Sequence, residues 1–121
     1  MKQTEKTKIA RITITSAGGH SSSPHLAANT LIIAAQAIKV INTAVLCRFA
    51  PDHRPWVVVK SLKGGTVCNI IPAETVITYS FTAQDEADSI KLDRIFEDIP
   101  KHIAGLFGAE CRTNLWESKV D

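Results

Sequence analysis

Two short segments of this chain carry side chains suited to chemistry. In Gly18-Gly19-His20-Ser21-Ser22-Ser23-Pro24-His25 an imidazole, His20, sits on a Gly/Ser loop. In Gly64-Gly65-Thr66-Val67-Cys68-Asn69-Ile70-Ile71-Pro72 an amide side chain, Asn69, follows a glycine turn. Histidine offers a cation or a donor near neutral pH, and asparagine both donates and accepts. Together they suit the binding of a carboxylate or a polarised carbonyl. Both loops follow strands, but periodicity alone does not require them to meet. Elsewhere the chain lacks HExxH, GxSxG, paired helical histidines at metal-ligand spacing and a phosphate-cradling glycine loop. His20 and His25 flank a proline, a poor spacing for one metal. Asp85-Glu86-Ala87-Asp88 reads as the acidic start of a helix before it reads as a metal site. Gly64-Gly65 reads as a turn first, and His53 and His102 read as surface residues.

The elements that must hold these loops follow from hydropathy periodicity. Residues 8–16 alternate, with Ala10, Ile12 and Ile14 inward and Arg11, Thr13 and Thr15 outward, which is a half-buried strand. A helical pattern covers 24–42, and 56–62 is rich in β-branched residues and reads as a second strand. Residues 74–82 alternate again, with Ile77, Tyr79 and Phe81 inward and Thr78, Ser80 and Thr82 outward. Asp85 or Asp88 caps a second helix whose apolar stripe is Leu92, Ile95/Phe96, Ile99, Ile103 and Leu106. Pro100 is expected to kink that helix and Gly108 to stop it. A last strand covers 109–116. The order β-α-β-β-α-β predicts an α+β fold of the ferredoxin-like kind. It would have a four-stranded antiparallel sheet with two helices on one face, the strand at 56–62 on an edge, and the first and last strands side by side.

The 121 residues suit a single domain, with a core expected over about 8–117. Fourteen Lys+Arg against 12 Asp+Glu leave a net charge of +2, too little for a nucleic-acid footprint. No apolar run reaches the ~18 residues of a membrane span, and the polar start of the chain does not read as a signal peptide. Three scattered cysteines, Cys47, Cys68 and Cys111, form no CxxC and fit a reducing cytoplasm. They read as small half-buried apolar residues. The first helix is too apolar for a monomer. Leu26, Leu31, Ile33, Ala34, Ala35, Ala37, Ile38, Val40 and Ile41 sweep about 220° of its circumference, where a sheet-packed helix needs a stripe of somewhat over 100°. The excess face predicts a partner surface, with a second copy of the chain as the partner.

The two loop segments, in this order, resemble the smaller lid or dimerisation domain of the aminoacylase/carboxypeptidase family of dinuclear zinc exopeptidases and amidohydrolases. The likeness covers about residues 9–116, and Pro24-His25 looks most like the N-acyl-amino-acid or hippurate amidohydrolase branch. The resemblance implies a homodimer formed through the helix at 24–42 and the edge strand at 56–62. It also implies that His20 reaches into the partner's active site and stabilises the tetrahedral intermediate, while Asn69 and Gly65 contact substrate. Two zinc ions and a glutamate base would lie in a separate catalytic domain, whose metal-activated water attacks the amide carbonyl. The chain is thus expected to be a domain of a longer two-domain hydrolase of N-acyl amino acids or peptides, inert alone. One departure is Thr82, at the position where many relatives carry an arginine that binds the substrate carboxylate. The alternative is a freestanding ferredoxin-like module in which Gly64-Gly65 and the His20 loop bind a small effector. An RNA-binding reading needs solvent-facing aromatics on the central strands, where Thr13, Thr15, Thr78 and Ser80 stand instead.

Overall fold

The computed structural model describes residues 6–16, 29–65 and 72–118 in full, and the backbone alone at 19–20 and 70–71. The strands are β1 (Thr7–Thr15), β2 (Gly19–His20), β3 (Trp56–Gly64), β4 (Ile70–Ile71), β5 (Glu74–Thr82) and β6 (Glu110–Glu117). The helices are α1 (Thr30–Arg48) and α2 (Glu86–Leu106). Four strands form one antiparallel sheet in the order β3-β5-β1-β6. Ala10, Ile12 and Ile14 of β1 and Ile77, Tyr79 and Phe81 of β5 are fully buried beneath the helices, as their alternation predicts. Helix α1 lies over β5 and β1, α2 over β6 and β1, and the two helices touch each other. Phe96 of α2 stacks at a tilt on Tyr79 (4.9 Å between centroids) and on Phe81 (4.7 Å), which makes it the aromatic centre of the core.

Several expectations need correction. The first helix, expected over 24–42, is described from Thr30 and runs on to Arg48; residues 24–28 lie outside the described residues. Asn29 is its cap, with Oδ1 accepting from the Leu31 amide at 3.1 Å. The helix also continues past Asn42, because that side chain is not a terminator. Its Oδ1 accepts from the Tyr79 hydroxyl at 3.0 Å. Burial pushes the Tyr79 pKa up, which keeps this donor protonated. Strand β3 extends to Gly64 and keeps its expected edge position. Of the outward-facing small residues, Thr13 and Ser80 are buried. Their cross-strand neighbours are Val76 and Arg112 for Thr13, and Ile9 and Val58 for Ser80, all larger side chains that shade them. Cys47 is exposed, Cys111 is half-buried, and Cys68 lies outside the described residues.

Helix α2 begins at the Asp85 cap, whose Oδ1 accepts from the Asp88 amide at 2.8 Å. It runs unbroken past Pro100, whose ring lies on the buried face, in place of the expected kink. Gly108 ends it with φ +73°, and the Ala109 and Gly108 amides return to the Ala104 and Gly105 carbonyls. That six-to-one and five-to-two pattern requires a left-handed residue. Burial on α2 stops at Ala104, so Leu106 is 77% exposed although it continues the apolar stripe. The connection after α1 is tied to the start of α2. Gln84 Nε2 donates to the Asp52 carbonyl at 3.0 Å, and Lys91 Nζ donates to the Arg48 carbonyl and sits over the Phe49 ring. Thr7 and Ser118 are joined by a 2.8 Å backbone bond, so the outer ends of β1 and β6 lie side by side as expected.

Candidate functional site

The two glycine-bearing segments meet. Strands β2 and β4 form a short antiparallel ladder that places Gly19 opposite Ile71 and His20 opposite Ile70. Residues paired in this way lie about 5 Å apart. The ladder sits at the end of the sheet where β1 ends and β5 begins, and the Ser16 amide ties it there by donating to the Ala73 carbonyl at 2.9 Å. Two-residue strands have no periodicity, so only the three-dimensional fold reveals them.

Gly65, which precedes the second segment, has φ +81°, a conformation that favours glycine. A Cβ there would lie 3.2 Å from Pro72 Cγ and 3.6 Å from Leu31 Cδ1. The turn is therefore wedged between the far end of its own loop and the first turn of α1. Behind it, Thr30 Oγ1 donates to the Pro72 carbonyl at 2.9 Å and lies 2.8 Å from Thr75 Oγ1. Both threonines are fully buried.

Of the predicted site residues, Gly65 is placed in full. His20 is placed by its backbone alone, and Asn69 lies outside the described residues beside Ile70, the residue opposite His20. Pro24 and His25 also lie outside the described residues. Thr82 is at the other end of β5, with its hydroxyl 3.0 Å from that of Thr7. Thr30 and Thr75 were invisible to sequence reading, because a contact 45 residues apart leaves no local pattern.

At that far end, His53 Nδ1 lies 3.1 Å from Asp88 Oδ2, and the ligand atoms of His53, Asp85 and Asp88 fall within 4.8 Å of one another. This is not a centre for two catalytic zinc ions. It offers three donors, Asp85 is occupied in capping α2, and the group sits roughly 25 Å from the ladder along a nine-residue strand. Its chemistry is that of an ion pair. The hydrogen bond to Asp88 raises the His53 pKa above 6.5, and the charges of Asp88, Asp52 and Asp85 add to it. A pKa raised by folding contributes stability below the unfolded value, and that contribution is lost as pH rises through the folded value. An NMR titration should therefore place the His53 midpoint above 6.5, and Asp88→Asn should bring it down. A wild-type midpoint at or below 6.5 would remove the pair.

A second surface stands out on the flank where α1 covers β5. The inner face of α1 buries Thr30, Ile33, Ala34, Ala37, Ile41 and Val45. Its outer face leaves Ile32 and Leu46 each 57% exposed, with Val40 also exposed, interspersed with exposed Gln36, Lys39 and Thr43. By length and composition this helix could cross a membrane, but its inner face is built into the core. Beside it, β3 is the edge strand of the sheet, pairing with β5 alone among the described residues, and it carries exposed Trp56 and Leu62. An edge strand next to a helix that exposes large apolar side chains is a surface that natural domains cover.

Comparison with known proteins bears on both features. Residues 8–106 match the sequence profile of the peptidase dimerisation domain. The chain is 27% identical over 108 residues to thermostable carboxypeptidase 2 of Saccharolobus solfataricus, covering 88% of this chain and 27% of that protein. Two solved structures share the fold: a hydantoinase/carbamoylase family amidase from Burkholderia ambifaria and a tripeptidase from Staphylococcus aureus. The amidase has a TM-score of 0.83 at 16% identity, over 94% of this chain and 28% of that one. The tripeptidase has a TM-score of 0.78 at 16% identity, over 93% and 29%. The chain thus spans little more than a quarter of the length of the proteins it resembles.

Proposed function

The chain belongs to the peptidase dimerisation domain family, and from that membership we propose that it pairs two copies of a metal-dependent amide or peptide hydrolase and completes the active site of each. The observation that carries this reading is the β2–β4 ladder, which joins the two segments that suit carbonyl and carboxylate binding. In this reading His20 donates to the oxyanion that develops on the scissile carbonyl in the partner's site. Asn69 holds substrate polar groups, and the turn at Gly65 presents the segment that carries it. The outer face of α1 and the outer edge of β3 form the dimer contact, which the family's description as a dimerisation domain supports.

The substrates proposed are N-acyl amino acids or peptides, consistent with the carboxypeptidase, tripeptidase and amidase relatives. Thr82 supplies no charge for a substrate carboxylate, and its hydroxyl is already near Thr7. The metal would be zinc, two ions per subunit, held by a separate catalytic domain of a cytoplasmic protein. When bound it supplies the activated water and polarises the carbonyl. The residues of this chain contribute binding, orientation and stabilisation of charge.

Metal analysis together with a hydrolysis assay tests the reading. The complete protein should hold about two zinc ions per subunit and hydrolyse N-acyl amino acids or dipeptides, with loss of activity on chelation. This 121-residue domain alone should do neither. A complete protein that binds no metal and cleaves neither substrate class would overturn the proposal in favour of a small-molecule-binding module.

A further inference from the structure

Thr30 and Thr75 occupy a place that neither the core nor the proposed chemistry explains. Thr30 is the first residue of α1, directly after the Asn29 cap. Thr75 belongs to β5, where it stands opposite Ile14 of β1 and Gly64 of β3. Their hydroxyls lie 2.8 Å apart, and Thr30 Oγ1 also donates to the Pro72 carbonyl at 2.9 Å. A hydroxyl has one proton to give. Thr30 gives its own to Pro72, so the proton between the two threonines is that of Thr75. The relay therefore has one direction, from Thr75 to Thr30 to the Pro72 carbonyl.

This relay ties three parts of the chain at one buried point. They are the start of α1, which follows the His20 segment; Pro72, which follows β4; and the sheet itself. The surroundings are shaped to admit it. A Cβ on Gly64 would overlap Thr75 Oγ1, and Gly65 lies against both Pro72 and Leu31. Two valines would fill the same space, but they would take the Thr30 donor away from the Pro72 carbonyl, which no side-chain replacement makes apolar. The hydroxyls thus add a fixed point for the Pro72 carbonyl, a constraint that packing alone does not impose.

We propose that Thr30 and Thr75 are positioning residues that fix the β2–β4 ladder against α1 and thereby set the relative placement of the two segments it joins. The catalytic consequence rests on the function proposed above; the mechanical one does not. Hydrogen–deuterium exchange on the complete protein separates them, using Thr30→Val, the double variant Thr30→Val/Thr75→Val, and Thr30→Ser. Thr30→Val removes the donor to the Pro72 carbonyl and the acceptor of the Thr75 hydroxyl. Exchange over 65–73 should rise about ten- to hundredfold, while β1 and the rest of β5 stay at the wild-type rate. The double variant, which no longer buries a Thr75 hydroxyl deprived of Thr30, should lose less of its thermal midpoint than Thr30→Val and still exchange faster over 65–73. Thr30→Ser, which keeps the hydroxyl, should restore the wild-type pattern. kcat should fall about ten- to hundredfold in the valine variants, with KM changed far less, and recover in Thr30→Ser. Wild-type exchange in the valine variants, or equal acceleration throughout the sheet, overturns the relay as a positioning device. Local acceleration with unchanged kcat upholds the relay and overturns the proposed role of the ladder in catalysis.

Discussion

His20→Ala in the complete protein is expected to lower kcat by about a hundredfold or more, with the dimer and its metal content intact. The expectation comes from where charge appears during amide hydrolysis. The carbonyl oxygen becomes an oxyanion only in the transition state, so a donor aimed at it acts on kcat more than on substrate binding. Removing one such donor costs roughly 3–4 kcal/mol in enzymes that use it. In this domain the residue concerned lies in β2, paired through its backbone with β4 and outside the four-stranded sheet. The check is steady-state kinetics alongside sedimentation and metal analysis of the same preparation. An unchanged kcat would remove His20 from the mechanism.

The double variant Ile32→Glu/Leu46→Glu is expected to weaken self-association by more than a hundredfold. Each residue leaves 57% of its surface exposed on the single chain, so the fold does not depend on burying it. Covering the remainder in a dimer gains about 1 kcal/mol per side chain, since full burial of such a residue is worth about 1.5–3. A two-fold contact counts every substitution twice. Carboxylates placed there lose that gain and face like charge across the axis, which adds several kcal/mol of penalty. At about 1.4 kcal/mol per decade, the sum exceeds two decades in Kd. Circular dichroism should be unchanged, because Ile33, Ala34, Ala37, Ile41 and Val45 still face the sheet.

Much of the fold was legible because it depends on local pattern. The alternation in β1 and β5 announced both central strands and their buried faces, and Gly108 marked the end of α2, while of the two candidate caps, Asp85 and Asp88, the structure selects Asp85. The ends of α1 are not marked by local punctuation, for physical reasons. Pro24 and Asn42 are ordinary helix punctuation, whereas the true cap is Asn29, and Asn42 spends its polarity on the Tyr79 hydroxyl in mid-helix. Sheet order predicted the edge position of β3 and the adjacency of Thr7 and Ser118. The site was legible as two separate segments and illegible as one place. A two-residue ladder, a threonine pair and the meeting of His53 with Asp88 all depend on contacts between residues distant in sequence. The apolar excess of α1 was the exception, a tertiary feature readable from composition because its nineteen residues are more apolar than one sheet face can use.

Pairing of the chain is the claim on which the rest depends, since a histidine that acts in a partner's site needs a partner. Sedimentation equilibrium of the complete protein tests it most directly. We predict twice the chain mass at micromolar concentration, falling to the chain mass in the Ile32→Glu/Leu46→Glu variant. A wild-type protein that sediments at the single-chain mass at high micromolar concentration would contradict the account.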